Sequence, residues 1–171
     1  HKFRFEQVSI DELPFADDAF DLIVANHMLY HVPDREKALA HIRRVLKPNG
    51  RLFAATNGHE HMVEMRQLAA ILTEGSSSPS PFFEERKSPF SLENGRQQLE
   101  PFFQTVTLRP YPDSLAVTKA QPLVDYLLSS SQARTFATEE RLTALKKFIN
   151  KQIEETGVFY VTKSTGLFVA A

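Results

Sequence analysis

"FDLIVANHMLYHVPDREKALAHIRRVLKPNGRLFAATN", Phe20 to Asn57, holds a strand, a helix and a second strand in one pass, and the reading of DLIVA, Asp21 to Ala25, decides the rest. DLIVA is apolar without alternation, the pattern of a strand covered by helices on both faces of a parallel sheet. Asp34 is placed to cap the following helix, and Ala38, Leu39, Ile42, Val45 and Leu46 give it one apolar face. KPNG stops that helix: Pro48 starts a turn, and Asn49 and Gly50 tolerate positive φ. Arg51 to Thr56 is the next strand.

Outward from that core, Phe3 to Ile10 alternates well enough for a strand, and DELPFADDAF after it reads as a loop. A helix from about Glu60 to Glu74 carries Met65, Leu68, Ala69 and Leu72 at helical spacing. GSSSPSP, Gly75 to Pro81, reads as a mobile loop, and FFEERK, Phe82 to Lys87, as a surface helix or lid. Asn94 caps a short helix ending before Phe102, Thr105 to Tyr111 is a strand, and Leu115 to Thr118 another short one. Pro122 suits the first turn of a helix carrying Val124, Leu127 and Leu128. Thr138 caps the last helix, whose inner face is Leu142, Leu145, Ile149 and Ile153, and Gly157 ends it. VFYVTKSTGLFVAA closes as strand material. Strand and helix alternate and two strands come late, so the fold class is α/β.

The totals bound what such a chain does. Its 171 residues favour one domain with a real core. A net charge of -1 offers no electrostatic footprint for nucleic acid or an anionic membrane. No apolar run approaches the length of a bilayer span, and HKFRFEQVSI has no apolar h-region, so neither a span nor a secretory signal is expected. With no cysteine, disulfides and thiolate metal sites are excluded, and the cytoplasm is the default compartment. His1 in place of Met hints at a tag remnant or a cut chain.

Leu13-Pro14-Phe15, Phe20-Asp21 opening an apolar strand, His27, His31 and RRVLKPNGRL follow one another at characteristic spacing. In that order they resemble class I S-adenosylmethionine-dependent methyltransferases, and among these the small-molecule enzymes related to ubiquinone and menaquinone biosynthesis. The strong part of the likeness runs from Val8 to Gly58. It implies a Rossmann-like sheet of order 3-2-1-4-5-7-6 with strand 7 antiparallel. This chain would supply strands 3-4-5-7-6: residues 3–10, 21–25, 51–56, 158–170 and 105–111 respectively. It implies one domain over 1–171, helices on both faces, and residues 112–157 as an insertion shaping a substrate pocket.

The resemblance also assigns roles. Family members hold the cofactor with a glycine-rich loop after strand 1, but the six glycines here, at 50, 58, 75, 95, 157 and 166, are all solitary. The chain therefore reads as the C-terminal portion of such a fold, truncated, with an incomplete site for S-adenosylmethionine and no activity alone. An Asp that meets the adenine amino group in relatives corresponds to Ser9, a weaker acceptor without charge assistance. The backbone N–H of Ile10 is a second adenine contact, and Asp11 stands two positions late for that role. Asn26 falls at the cofactor's methionine end, and Thr56 and Asn57 end the neighbouring strand toward the same crevice.

For catalysis, His27 and His31 stand four apart after the central strand, and one of them serves as base or substrate contact, since imidazole titrates near neutrality. The alternative is that His31 packs the turn before Val32-Pro33. Metal is not expected: HMLYH lacks the glutamate of HExxH and has no evident third ligand, and His59 and His61, the other close pair, diverge on a helix and share a face only on a strand. The function expected is methyl transfer to a small-molecule acceptor. Its rivals are a non-catalytic binding or oligomerisation module of methyltransferase descent and a Rossmann-type oxidoreductase, which the late antiparallel strands disfavour. An unpaired apolar edge at Asp21–Ala25 predicts either collapse of residues 3–10 onto it or self-association.

Overall fold

The computed structural model describes residues 3–73 and 88–171, so the expected loop at 75–81 and the FFEERK segment lie outside the described residues. The chain divides into two compact units, residues 1–59, 88–111 and 165–171 in the first, and 60–87 and 112–164 in the second. Residues 112–157 all fall in unit 2.

Strand β1, Phe20–Asn26, leads through a 3-10 turn, Leu29–His31, into helix α1, Arg35–Val45. Asp34 caps α1 by accepting from Lys37 N at 3.0 Å, as its sequence position foretold. Strand β2, Leu46–Asn57, starts directly where α1 ends and runs parallel to β1. KPNG is therefore not a free turn. Phe20 faces Leu46 but Leu22 already faces Arg51, so Lys47 to Gly50 form a bulge in β2. Gly50 is needed there for space: a Cβ would meet Leu46 Cδ2 at 2.9 Å and Phe20 O at 3.1 Å.

Helix α2 is Val63–Thr73 and the short α3 is Gly95–Leu99, both close to expectation. The two late strands predicted at 105–111 and 115–118 are one strand, β3, Val106–Val117. Pro110 and Pro112 lie within it, and β3 is an edge strand, where a missing N–H is tolerated. Helices α4, Ala120–Leu128, and α6, Glu139–Thr156, follow as predicted, with an unforeseen α5, Ser131–Phe136, between them. Gly157 ends α6 in the left-handed conformation at φ 84°. Strand β4, Phe159–Ala170, closes the chain.

The sheet order is β1-β2-β4-β3, which is the 4-5-7-6 run of the expected sheet. β4 runs antiparallel to β2, in unbroken register from Leu52 opposite Ala170 to Asn57 opposite Thr165. Thr105 and Ala171 exchange both backbone hydrogen bonds at the outer edge.

Three expectations fail at the start of the chain. Residues 3–9 form no strand, and Phe3 and Phe5 are 83% and 91% exposed. Alternation alone makes no strand without a neighbour to share its ladder, and no described strand lies beside it. Collapse of that segment onto β1 is excluded for the same reason. β1 is itself an edge strand, and Leu22 and Val24 are 52% and 60% exposed, so helices cover only one of its faces. On the covered face Ala25, Leu39, Ile42, Leu52, Ala54 and Phe168 share the core of unit 1. Unit 2 has its own core, in which Leu68, Leu72, Val124, Leu127, Leu145 and Ile149 are buried.

Candidate functional site

In an open sheet with parallel strands, ligands bind beyond the carboxyl ends of those strands. Here β1 and β2 are parallel neighbours, so Asn26 and Asn57 end on the same side of the sheet. Asn26 is exposed and its side chain has no hydrogen-bond partner among the described residues, whereas His27 N donates to Ala55 O at 3.1 Å. His27 sits at φ 50°, a left-handed conformation that few side-chain-bearing residues adopt. That turn ends the strand and ejects the imidazole into solvent.

His27 and His31 do not share a helical turn. The left-handed His27 is followed by a 3-10 turn, in which His31 N donates to Met28 O at 2.9 Å. Tyr30 sits between them: its ring is 6.5 Å from His27 and 4.4 Å from His31, centroid to centroid. Tyr30 was missed in the sequence, although HMLYH places it beside both imidazoles. Thr56 does not face a crevice. It is fully buried, and its hydroxyl donates to Phe90 O at 2.9 Å, a structural bond.

Ser9 caps a 3-10 turn, Ile10–Glu12, by accepting from Asp11 N at 3.3 Å, and its Oγ also lies 3.4 Å from Asp11 Oδ2. This tight turn brings Asp11 back against Ser9. Asp11 Oδ1 is buried and has no hydrogen-bond partner among the described residues. A buried acceptor left unpaired costs roughly 1–3 kcal/mol, which a ligand N–H would restore.

The motif residues hold one another in place. Arg44 of RRVL donates to Leu13 O at 2.9 Å, Phe15 O at 2.8 Å and Asp17 Oδ1 at 2.7 Å, fixing the LPF loop. Lys47 of LKPNG reaches both oxygens of Asp21, at 2.8 and 2.9 Å. Phe15 meets Phe20 edge to face at 5.0 Å. Three separate pieces of sequence are thereby one constellation around the start of β1.

His59 and His61 fall in different units. His59 Nε2 lies 3.2 Å from Ser91 Oγ and 3.4 Å from Glu93 Oε2. Both partners meet the same ring nitrogen, so this is not a nucleophile–base–acid relay, in which each nitrogen has its own partner. Burial pushes Glu93 up, but the His59 backbone N–H, Ser91 and the His59 ring outweigh it, and the carboxyl is held below its ordinary value. Glu93 is a second residue the sequence did not reveal, because the fold brings it to His59 across 34 positions. No group of three or more metal-ligating side chains occurs among the described residues. A groove of about 530 Å³ in unit 1, beside Pro33, Arg35, Gln98 and Phe102, includes none of the nominated residues.

Residues 1–54 match the family model described as a methyltransferase domain. The chain is 50% identical over 50 residues to the ubiquinone/menaquinone biosynthesis C-methyltransferase UbiE of Vibrio vulnificus, covering 29% of this chain and 19% of that protein. It is 43% identical over 75 residues to the mitochondrial arginine-hydroxylase NDUFAF5 of Mus musculus, 41% of this chain and 22% of that one. The chain thus spans about a fifth of these relatives' lengths. Among solved structures, a candidate methyltransferase from an antibiotic biosynthesis pathway of Anabaena variabilis superposes with a TM-score of 0.61 at 12% identity, covering 97% of this chain and 72% of that one. Residues 1–54 are thus similar to a methyltransferase domain, and the fold is the α/β fold of a solved candidate methyltransferase.

Proposed function

We propose that the chain serves methyl transfer from S-adenosylmethionine to a small-molecule acceptor, and that unit 1 supplies the adenine side of the cofactor site. The observation that carries this reading is the orphaned Asp11 Oδ1 beside Ser9, an acceptor waiting for an N–H donor. When bound, S-adenosylmethionine supplies a methyl group on a positive sulfonium. Asp11 would accept the adenine amino hydrogen with the charge assistance Ser9 lacks. The Ile10 backbone N–H and the Asn26 amide would hold the remaining edges. His27 or His31, exposed beyond β1 and braced by Tyr30, would take the acceptor's proton.

The 171 residues contain no G-x-G loop, so we infer that this chain does not turn over by itself. The matched segment does not choose the reaction on its own, since one of its relatives is named a hydroxylase. Self-association belongs to the same proposal: among the described residues β1 has no strand on its outer side, and its apolar Leu22 and Val24 are exposed on one face of that edge. A non-catalytic binding or oligomerisation role is the rival, favoured by that same edge.

Calorimetry with S-adenosylhomocysteine tests the reading. The chain is expected to bind in the millimolar range, about 4 kcal/mol, and D11N about tenfold more weakly. Equal affinity of the two would remove Asp11 from the site, and no heat at about 10 mM ligand would remove the cofactor reading.

A further inference from the structure

We propose that unit 2 holds a pocket for a small aromatic molecule bearing one anionic oxygen, with Lys163 as its counter-charge. A cavity of about 440 Å³ lies wholly within this unit, in the size range of small-molecule sites. Strand alternation sets two of its walls. Leu115 and Val117 of β3 point one way, and Val161 and Lys163 of β4 likewise share a face.

The third wall is built at a conformational cost. Met62 is left-handed at φ 57°, unusual for a residue with an unbranched apolar side chain. Its N–H donates to Thr162 O at 2.8 Å, which pins it there, and its thioether faces the cavity with Met65. Thioethers pack favourably against aromatic rings, so the pair selects a planar apolar body. Tyr126 is 54% exposed, and its hydroxyl donates only to Met62 Sδ, at 3.7 Å. Sulfur is a weak acceptor, so a ligand oxygen would capture that donor.

Lys163 sets the charge. It makes no ion pair among the described residues although it is half-buried. The carboxylate bound to the preceding residue is committed there: Glu64 accepts from Thr162 N at 2.8 Å and Thr162 Oγ1 at 2.6 Å. That clamp ties α2 to β4 and fixes the strand from which Lys163 projects. An ammonium on an apolar wall, with a phenol nearby, fits a carboxylate or phenolate better than a neutral group. The inference rests on the methyltransferase reading only in making this occupant the acceptor.

The three methionines make the test direct, because Met62 and Met65 line the pocket while Met28 belongs to unit 1. With methyl-labelled methionine, titration by 2-naphthoate is expected to move the Met62 and Met65 resonances and leave Met28 in place. 2-Naphthoate should bind about tenfold more tightly than neutral 2-naphthamide, and K163M should level the two. Still resonances of Met62 and Met65, or a preference for the anion that survives K163M, would overturn the proposal. S-adenosylhomocysteine binding, measured on the same samples, reports on unit 1 independently, so failure of either reading is distinguishable from failure of the other.

Discussion

Arg44 stands in the last turn of α1, and three of its hydrogen bonds go to the loop before β1. Only a guanidinium has the planar fork for two backbone carbonyls and a carboxylate at once. Replacing it strands partly buried acceptors, so R44M should lose about 2 kcal/mol, or roughly 4–8 °C in Tm. R44K should recover little of it. Calorimetric melting checks this, and an unchanged Tm would mean that the loop is held by Phe15 against Phe20 alone. At this scale residue types were legible and partners were not. That Asn26, His27 and His31 stand at and just beyond the end of β1 was readable from their place after DLIVA. The burial of Thr56 and the pairing of His59 with Glu93 were not, because both depend on a segment far along the chain.

Among the elements, helices followed their sequence signals closely. Asp34, Ser130 and Thr138 each cap by a side-chain oxygen, and the buried positions of α1, α2 and α6 are all apolar. These signals are local, which is why they could be read. Strands were harder, since a strand exists by virtue of its neighbour. Residues 3–9 alternate without forming one, and Pro110 and Pro112 hid the continuity of β3. The apolar run of β1 looked central, yet β1 closes the sheet with Leu22 and Val24 half in water. Covering each of these side chains gains up to about 1–2 kcal/mol, enough to drive pairing of two such edges. Sedimentation velocity should therefore detect concentration-dependent association of the chain, and L22K/V24K should abolish it. Association that persists unchanged in the double variant would place the contact elsewhere.

For the molecule as a whole, the match to the family model covers residues 1–54, all within unit 1, where the proposed site residues also lie. The order β1-β2-β4-β3 with β4 antiparallel was legible only through that likeness, since periodicity alone sets no strand order. Unit 2 was legible as helices and not as a pocket: its cavity is assembled from four elements, and Met62 owes its place to a backbone conformation no pattern announces. No helix among the described residues is long and apolar enough to cross a membrane. The claim on which the account depends is that the Ser9–Glu12 turn and the carboxyl end of β1 form a wall for the cofactor. Amide chemical shifts followed during titration with S-adenosylhomocysteine test it most directly. The account predicts progressive movement of Ile10, Asp11, Asn26 and His27 while unit 2 stays still, and movement confined to unit 2, or none at all, would contradict it.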